Sequence, residues 1–169
     1  MLYLINYRNT NSYQCKSITE LPFLEAKSVA DRLYQNSPCV AHRRFGPNFA
    51  QYYDDRQKVE QWLYDNFKKS GGKPKAKHPL YFVVQYTEKP VFDFGDSQAV
   101  QLNLNDIADE DVSFSLGDSM NLYYQGTLNR LLTKNDLQEL LRTHESDMHN
   151  FLSEIGFIEA QLWNHNYCD

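Results

Sequence analysis

Hydrophobic and polar positions along this chain change period several times, and each change marks an element. Leu2 to Tyr7 is aliphatic and aromatic with weak alternation, which predicts a first strand, and Asn9, Asn11 and Ser12 follow as a turn. Pro22 suits a first helical turn, and Ala26, Val29, Ala30 and Leu33 recur behind it at helical spacing. Ser37-Pro38 ends that helix, because a residue before proline is pushed out of the α region. The clearest element comes next. Asn48 is placed to cap a helix in which Phe49, Tyr52, Val59, Trp62, Leu63 and Phe67 fall three and four residues apart. Lys68 and Lys69 in its last turn complement the helix dipole, and Gly71-Gly72 supplies the stop.

Beyond the loop Lys73 to Pro79 the period shortens. Leu80 to Val84, Val91 to Phe94, Ala99 to Leu104 and Val112 to Leu116 have strand composition, separated by turns such as Asp96-Ser97 and Asp109-Glu110-Asp111. Gln101 and Asn103 alternate with Val100, Leu102 and Leu104, the pattern of a half-buried antiparallel strand. Leu122 to Leu132 fits strand and helix equally. Thr133-x-x-Asp136 resembles a capping box ahead of Leu137, Leu140 and Leu141, and Ser146 is placed to cap a last helix that ends at Gly156. Ile158 to Trp163 reads as a closing strand. The fold class implied is α+β: one domain over residues 1–169, mainly antiparallel sheet, with an N-terminal helix pair and C-terminal helices.

A hydrophobic content of 41% with 14% aromatics agrees with a packed globule. No apolar run reaches the roughly 18 residues of a membrane span, and the N-terminal stretch lacks the features of a secretory signal. Cys15, Cys39 and Cys168 are odd in number and widely spaced. That pattern argues against a disulfide framework and points to a cytoplasmic setting.

Charge changes the picture more than composition does. Residues 42–78 hold nine of the 17 Lys and Arg against four acids, net +5, whereas residues 88–169 are net −11, and the whole chain is −5. On the long helix Asp54–Lys58, Arg56–Glu60 and Asp65–Lys69 stand at i,i+4, which predicts internal pairing on a solvent-facing surface. Arg43 and Arg44 before it, and Lys73, Lys75, Lys77 and His78 after it, lack that explanation. With Arg56 they form the candidate ligand-binding set, for an anionic ligand or a protein partner. The competing expectation, preferred for Arg43 and Arg44, is that they clamp the acidic half of their own domain. The negative total argues against duplex nucleic acid.

Catalytic motifs are sparse. Val112 to Met120, ending in Gly117-Asp118-Ser119, resembles the nucleophile block of GDSL-type esterases, which makes Ser119 a candidate nucleophile. Met120 replaces that family's leucine, and Asp147-Met148-His149 differs from its Asp-x-x-His. The preferred reading is a turn carrying an Asx-type hydrogen bond. His144 and His149 stand five apart, where a helical zinc motif needs four. The acids from Asp106 to Asp111 lack the spacing and glycine of an EF-hand. Cys39 with His42, and Cys168 with His165, are near pairs of a spacing common by chance. No metal set and no resident cofactor follows from any of these, and neither a P-loop nor a Gly-x-Gly-x-x-Gly occurs.

The order of elements is loosely similar to small ADP-ribosyltransferase domains. That resemblance implies NAD as substrate and roles for Arg8 with Thr10, for Tyr81, and for Glu159, with Ser119 nearby. The chain has Arg8-Asn9-Thr10 where that family has His-x-Thr, and Glu159-Ala160-Gln161 where it has a triplet ending in glutamate. The function expected first is binding of a ligand or partner. The transferase stands second, and a serine hydrolase third.

Overall fold

The computed structural model describes residues 2–8, 16–36, 45–85 and 98–168. Its sheet contains β1 (Tyr3–Arg8), β2 (Leu80–Gln85), β3 (Gln98–Asn103), β4 (Val112–Ser115) and β5 (Glu159–Leu162), ordered β3-β1-β2-β5-β4 with every pair antiparallel. The helices are α1 (Phe23–Asn36), α2 (Phe49–Lys69), α3 (Ser119–Tyr124), α4 (Lys134–Thr143) and α5 (Met148–Ile155). This is the expected α+β domain, with α1 and α2 between β1 and β2 in the chain and α3, α4 and α5 between β4 and β5. The predicted strand at Val91 to Phe94 lies outside the described residues. No described helix is long and apolar enough to cross a membrane.

Local chemistry explains most boundaries. The α2 helix closes with paired backbone bonds, Gly71 N–H to Lys68 C=O at 3.1 Å and Gly72 N–H to Phe67 C=O at 2.9 Å, and Gly71 sits at φ +93°. That is a Schellman stop, and it requires a left-handed residue. The predicted capping box is present at α4: Thr133 Oγ1 accepts from the Asp136 N–H, and Asp136 Oδ2 accepts from the Thr133 N–H. The cap residue of α5 is Asp147 rather than Ser146, and Gly156 ends that helix at φ +80°. Leu122 to Leu132 turns out to be mixed. Its first residues complete α3, and Leu132 then bridges to Phe114.

The two faces of the sheet differ in chemistry. One presents Leu4, Leu80, Phe82, Val84, Phe114, Ala160 and Leu162 to Leu137 of α4 and Phe151 of α5, forming a dry core. On the opposite face α2 lies over the central strands. Its Val59, Leu63 and Phe67 pack on Trp163 and Leu131, while its first turns pack on Ala26, Val29, Ala30 and Leu33 of α1. Between α2 and the strands the contacts become polar. Ser113, Ser115, Glu159 and Gln161 are all buried there.

Candidate functional site

Alternation along β4 and β5 gives this polar layer its residues. Ser113 and Ser115 pair across the strands with Gln161 and Glu159, so the four side chains fall on one face. They hydrogen-bond in sequence. Trp163 Nε1 donates to Ser113 Oγ (2.9 Å), Ser113 Oγ donates to Gln161 Oε1 (2.9 Å), and Gln161 Nε2 donates to both Ser115 Oγ (3.1 Å) and Glu159 Oε1 (2.9 Å). The Ser119 backbone N–H approaches the same Glu159 oxygen at 3.4 Å. Buried polar atoms must be matched in this way, and Glu159 is at its most demanding when charged.

A second network converges on Glu60 of α2, which is 1% exposed. Its Oε2 accepts from Thr19 Oγ1 at 2.7 Å and lies 2.6 Å from His78 Nδ1, and its Oε1 accepts from the Tyr81 hydroxyl at 3.1 Å. Arg56 Nε stands 3.6 Å from that Oε1. Four parts of the chain are thereby tied to one carboxylate: the turn at Ile18–Glu20, α2, the lysine loop and β2. The Arg56–Glu60 pair was expected on a solvated surface, and the structure corrects this, with Arg56 only 6% exposed. The reason is helical phase, since positions 56 and 60 share the stripe of Phe49, Leu63 and Phe67.

Arg56 joins the two networks electrostatically. Burial opposes its charge, but Tyr81, Tyr52, Glu159 and Glu60 together hold it above even the ordinary arginine range. Tyr81 is pushed well above a normal phenol, chiefly by burial, against the pull of Arg56. Burial also raises the Glu159 carboxyl. Arg56 draws it down, while the charge of Asp118 adds to the rise.

A cleft opens between α2 and α3. About 310 Å3 in volume, it is lined by Tyr52, Asp55, Asp118, Met120, Asn121 and Tyr124. Asp118 caps α3 by accepting the Asn121 N–H at 3.0 Å, the Asx-type bond expected of Gly117-Asp118-Ser119. Asp55 is held below the usual carboxylate range by hydrogen bonds from Gln51 and from Tyr124 across the cleft. Tyr124 in turn is pushed up to about 12 by partial burial and by that bond. The Ser119 hydroxyl is buried with no hydrogen-bond partner among the described residues, a situation that costs about 1–3 kcal/mol.

The sequence candidates are distributed unevenly around this site. Tyr81, Glu159, Ser119 and Arg56 all belong to the polar layer, and His78 belongs to it through Glu60. Arg8 ends β1 opposite Gln98, and nothing ties its backbone position to that layer; its side chain lies outside the described residues. Arg43 and Arg44 lie outside them too, as do Thr10, Cys39 and His42. Lys73 and Lys75 reach the acidic turn, with Nζ 2.7 Å from Glu110 Oε2 and 3.1 Å from Asp111 Oδ2. Lys134 meets the third acid, Asp109, at 3.2 Å. Among the described residues, the basic middle thus meets the acidic half at the loop Lys73 to Pro79, with the Lys73 and Lys75 side chains still 71% and 55% exposed. Lys77 is exposed. His165, whose spacing from Cys168 is one common by chance, directs its ring nitrogens at Glu20 Oε1 (3.3 Å) and the His78 carbonyl (3.0 Å).

Sequence reasoning gave no site role to Glu60, Gln161, Ser113 or Ser115, and of the cleft residues it singled out only Asp118 and Met120, in the Gly-Asp-Ser block. For Glu60 a signal was present in the helical stripe. The chain matches no protein-family model, no curated protein and no solved structure.

Proposed function

We propose that the domain binds a small organic ligand in the cleft between α2 and α3. The observation carrying this reading is the cleft's wall, where two tyrosine rings and two carboxylates from separate helices face one space of about 310 Å3. Behind that wall the Arg56–Glu159 layer supplies a fixed charge pattern, and ligand sites are typically concave surfaces with a few convergent polar groups. A titration of the isotope-labelled full chain with a chemically mixed fragment set tests it. Amide shifts clustering at Tyr52–Asp55 and Asp118–Tyr124 are the expected result. Shifts confined to other surfaces, or none at millimolar fragment, reject the cleft.

One observation favours a second, catalytic reading of the transferase type. Tyr81 and Glu159 lie on neighbouring strands, on the same face, and both interact with Arg56. That reading requires release of nicotinamide from NAD, abolished in Glu159→Gln. An intact NAD pool after prolonged incubation with the wild-type chain removes it.

A further inference from the structure

We infer that the cleft selects an organic cation, an ammonium or guanidinium group carried on a flat ring. This rests on the ligand-binding reading and adds the chemistry of the ligand. Asp55 and Asp118 approach from opposite walls, and neither is neutralised in the interior. Asp118 accepts the Asn121 backbone N–H. Asp55 takes hydrogen bonds from Gln51 and Tyr124, and its one ion pair among the described residues is Lys58 at 3.4 Å. The Lys58 side chain is 63% exposed, so water screens that pair heavily. The nearest buried cation, Arg56, is committed to Glu60 and to the Tyr81 ring.

The charge of Asp118 reaches as far as Glu159, whose carboxyl it helps to raise. An anion entering the cleft meets repulsion from both walls, whereas a cation meets two carboxylates with the rings of Tyr52 and Tyr124 alongside. Tyrosine faces attract cations. One observation independent of charge also marks the place as a site: the cavity itself, to which α2 and α3 with its cap residue bring both rings and both carboxylates.

Three probes with the same ring and a similar reach separate ligand charge from ligand shape: tyramine, its neutral alcohol 2-(4-hydroxyphenyl)ethanol, and 4-hydroxyphenylacetate. Each is titrated into the labelled full chain and followed by amide shifts. Tyramine is expected to move Tyr52–Asp55 and Asp118–Tyr124, to bind more weakly as salt rises, and to lose about tenfold or more in affinity on Asp118→Asn. Asparagine keeps a cap for α3, and the spectrum of the variant reports its fold directly. Asp55→Asn provides an independent check from the other wall. Equal shifts with the neutral alcohol, or stronger ones with the carboxylate, overturn the cation assignment and leave the cleft standing. If all three probes leave these amides unmoved, both readings fall.

Discussion

The Arg56 guanidinium carbon lies 3.8 Å from the centroid of the Tyr81 ring, and the hydroxyl of that ring donates to the Glu60 oxygen nearest Arg56. Cation, ring and carboxylate therefore form a closed buried unit, in which each member offsets the desolvation of another.

Breaking this unit by removing its cation should be expensive. Arg56→Met leaves Glu60 buried without its counter-charge, and the expected loss is about 3–5 kcal/mol. Tyr81→Phe keeps the ring under the guanidinium and gives up only the hydroxyl bond, with an expected loss of about 1.5 kcal/mol. Urea unfolding of the two variants gives both values. An Arg56→Met variant as stable as a surface substitution would mean that Glu60 is not buried as described.

The lysine pairs of the acidic turn should divide by burial. Lys73 and Glu110 are 71% and 42% exposed, so Lys73→Met is expected to leave the unfolding midpoint unchanged. Asp111 is fully buried, and its Oδ2 accepts from Lys75, Asn164 and Tyr167. Asp111→Ala strands these donors and should cost about 2–3 kcal/mol at neutral pH. Burial pushes the Asp111 carboxyl up, but the bonds from Asn164, Lys75 and Tyr167 outweigh it and hold the pKa below the ordinary 3.8. A lowered folded pKa means stability that is present above the unfolded pKa and is lost as pH falls through the folded one. The gap between wild type and Asp111→Ala should narrow in strong acid, and a gap that stays constant there would contradict the pairing.

The elements were legible in the sequence because each rests on local rules. The Phe49–Phe67 stripe, Gly71-Gly72, Thr133-x-x-Asp136 and the Leu80–Val84 run all specify backbone without reference to distant residues. The site was less legible. Tyr81, Glu159 and Ser119 were singled out by resemblance, but what unites Tyr81 with Glu159 is Arg56, and its phase on α2 looked like an ordinary surface pair. An i,i+4 ion pair reads as solvated unless its positions are laid on the same helical stripe as Leu63 and Phe67. Which acids the lysine loop meets depends on the β2–β5–β4 register, which is a tertiary fact. The cleft depends on α3, a six-residue helix starting inside a motif whose preferred reading is a turn.

The α2 stop offers a test of packing rather than charge. A Cβ built on Gly72 would stand 2.4 Å from the Phe67 ring, closer than any tolerated contact, and Phe67 is itself only 2% exposed. Gly72→Ala must therefore displace a buried ring, at an expected cost of about 1–3 kcal/mol. Thermal unfolding measures the loss, and its disappearance when Gly72→Ala is made in a Phe67→Leu background would assign it to that collision.

Glu159 gives the prediction with the clearest sign. Burial is the largest influence on its carboxyl, Arg56 opposes it, Asp118 reinforces it, and the net pKa lies above the ordinary 4.5. The folded chain thus holds this proton to higher pH than the unfolded chain does. The contribution to stability is complete below the unfolded pKa and declines as pH rises through the folded one. Glu159→Gln keeps an oxygen for the Ser119 N–H and for Gln161 Nε2 and has no charge to desolvate. The variant should gain on wild type in melting temperature as the pH is raised from 4 toward 8. A difference that stays flat over that range would mean that Glu159 ionises in the folded chain as readily as in water, and its place in the buried layer would then need another explanation.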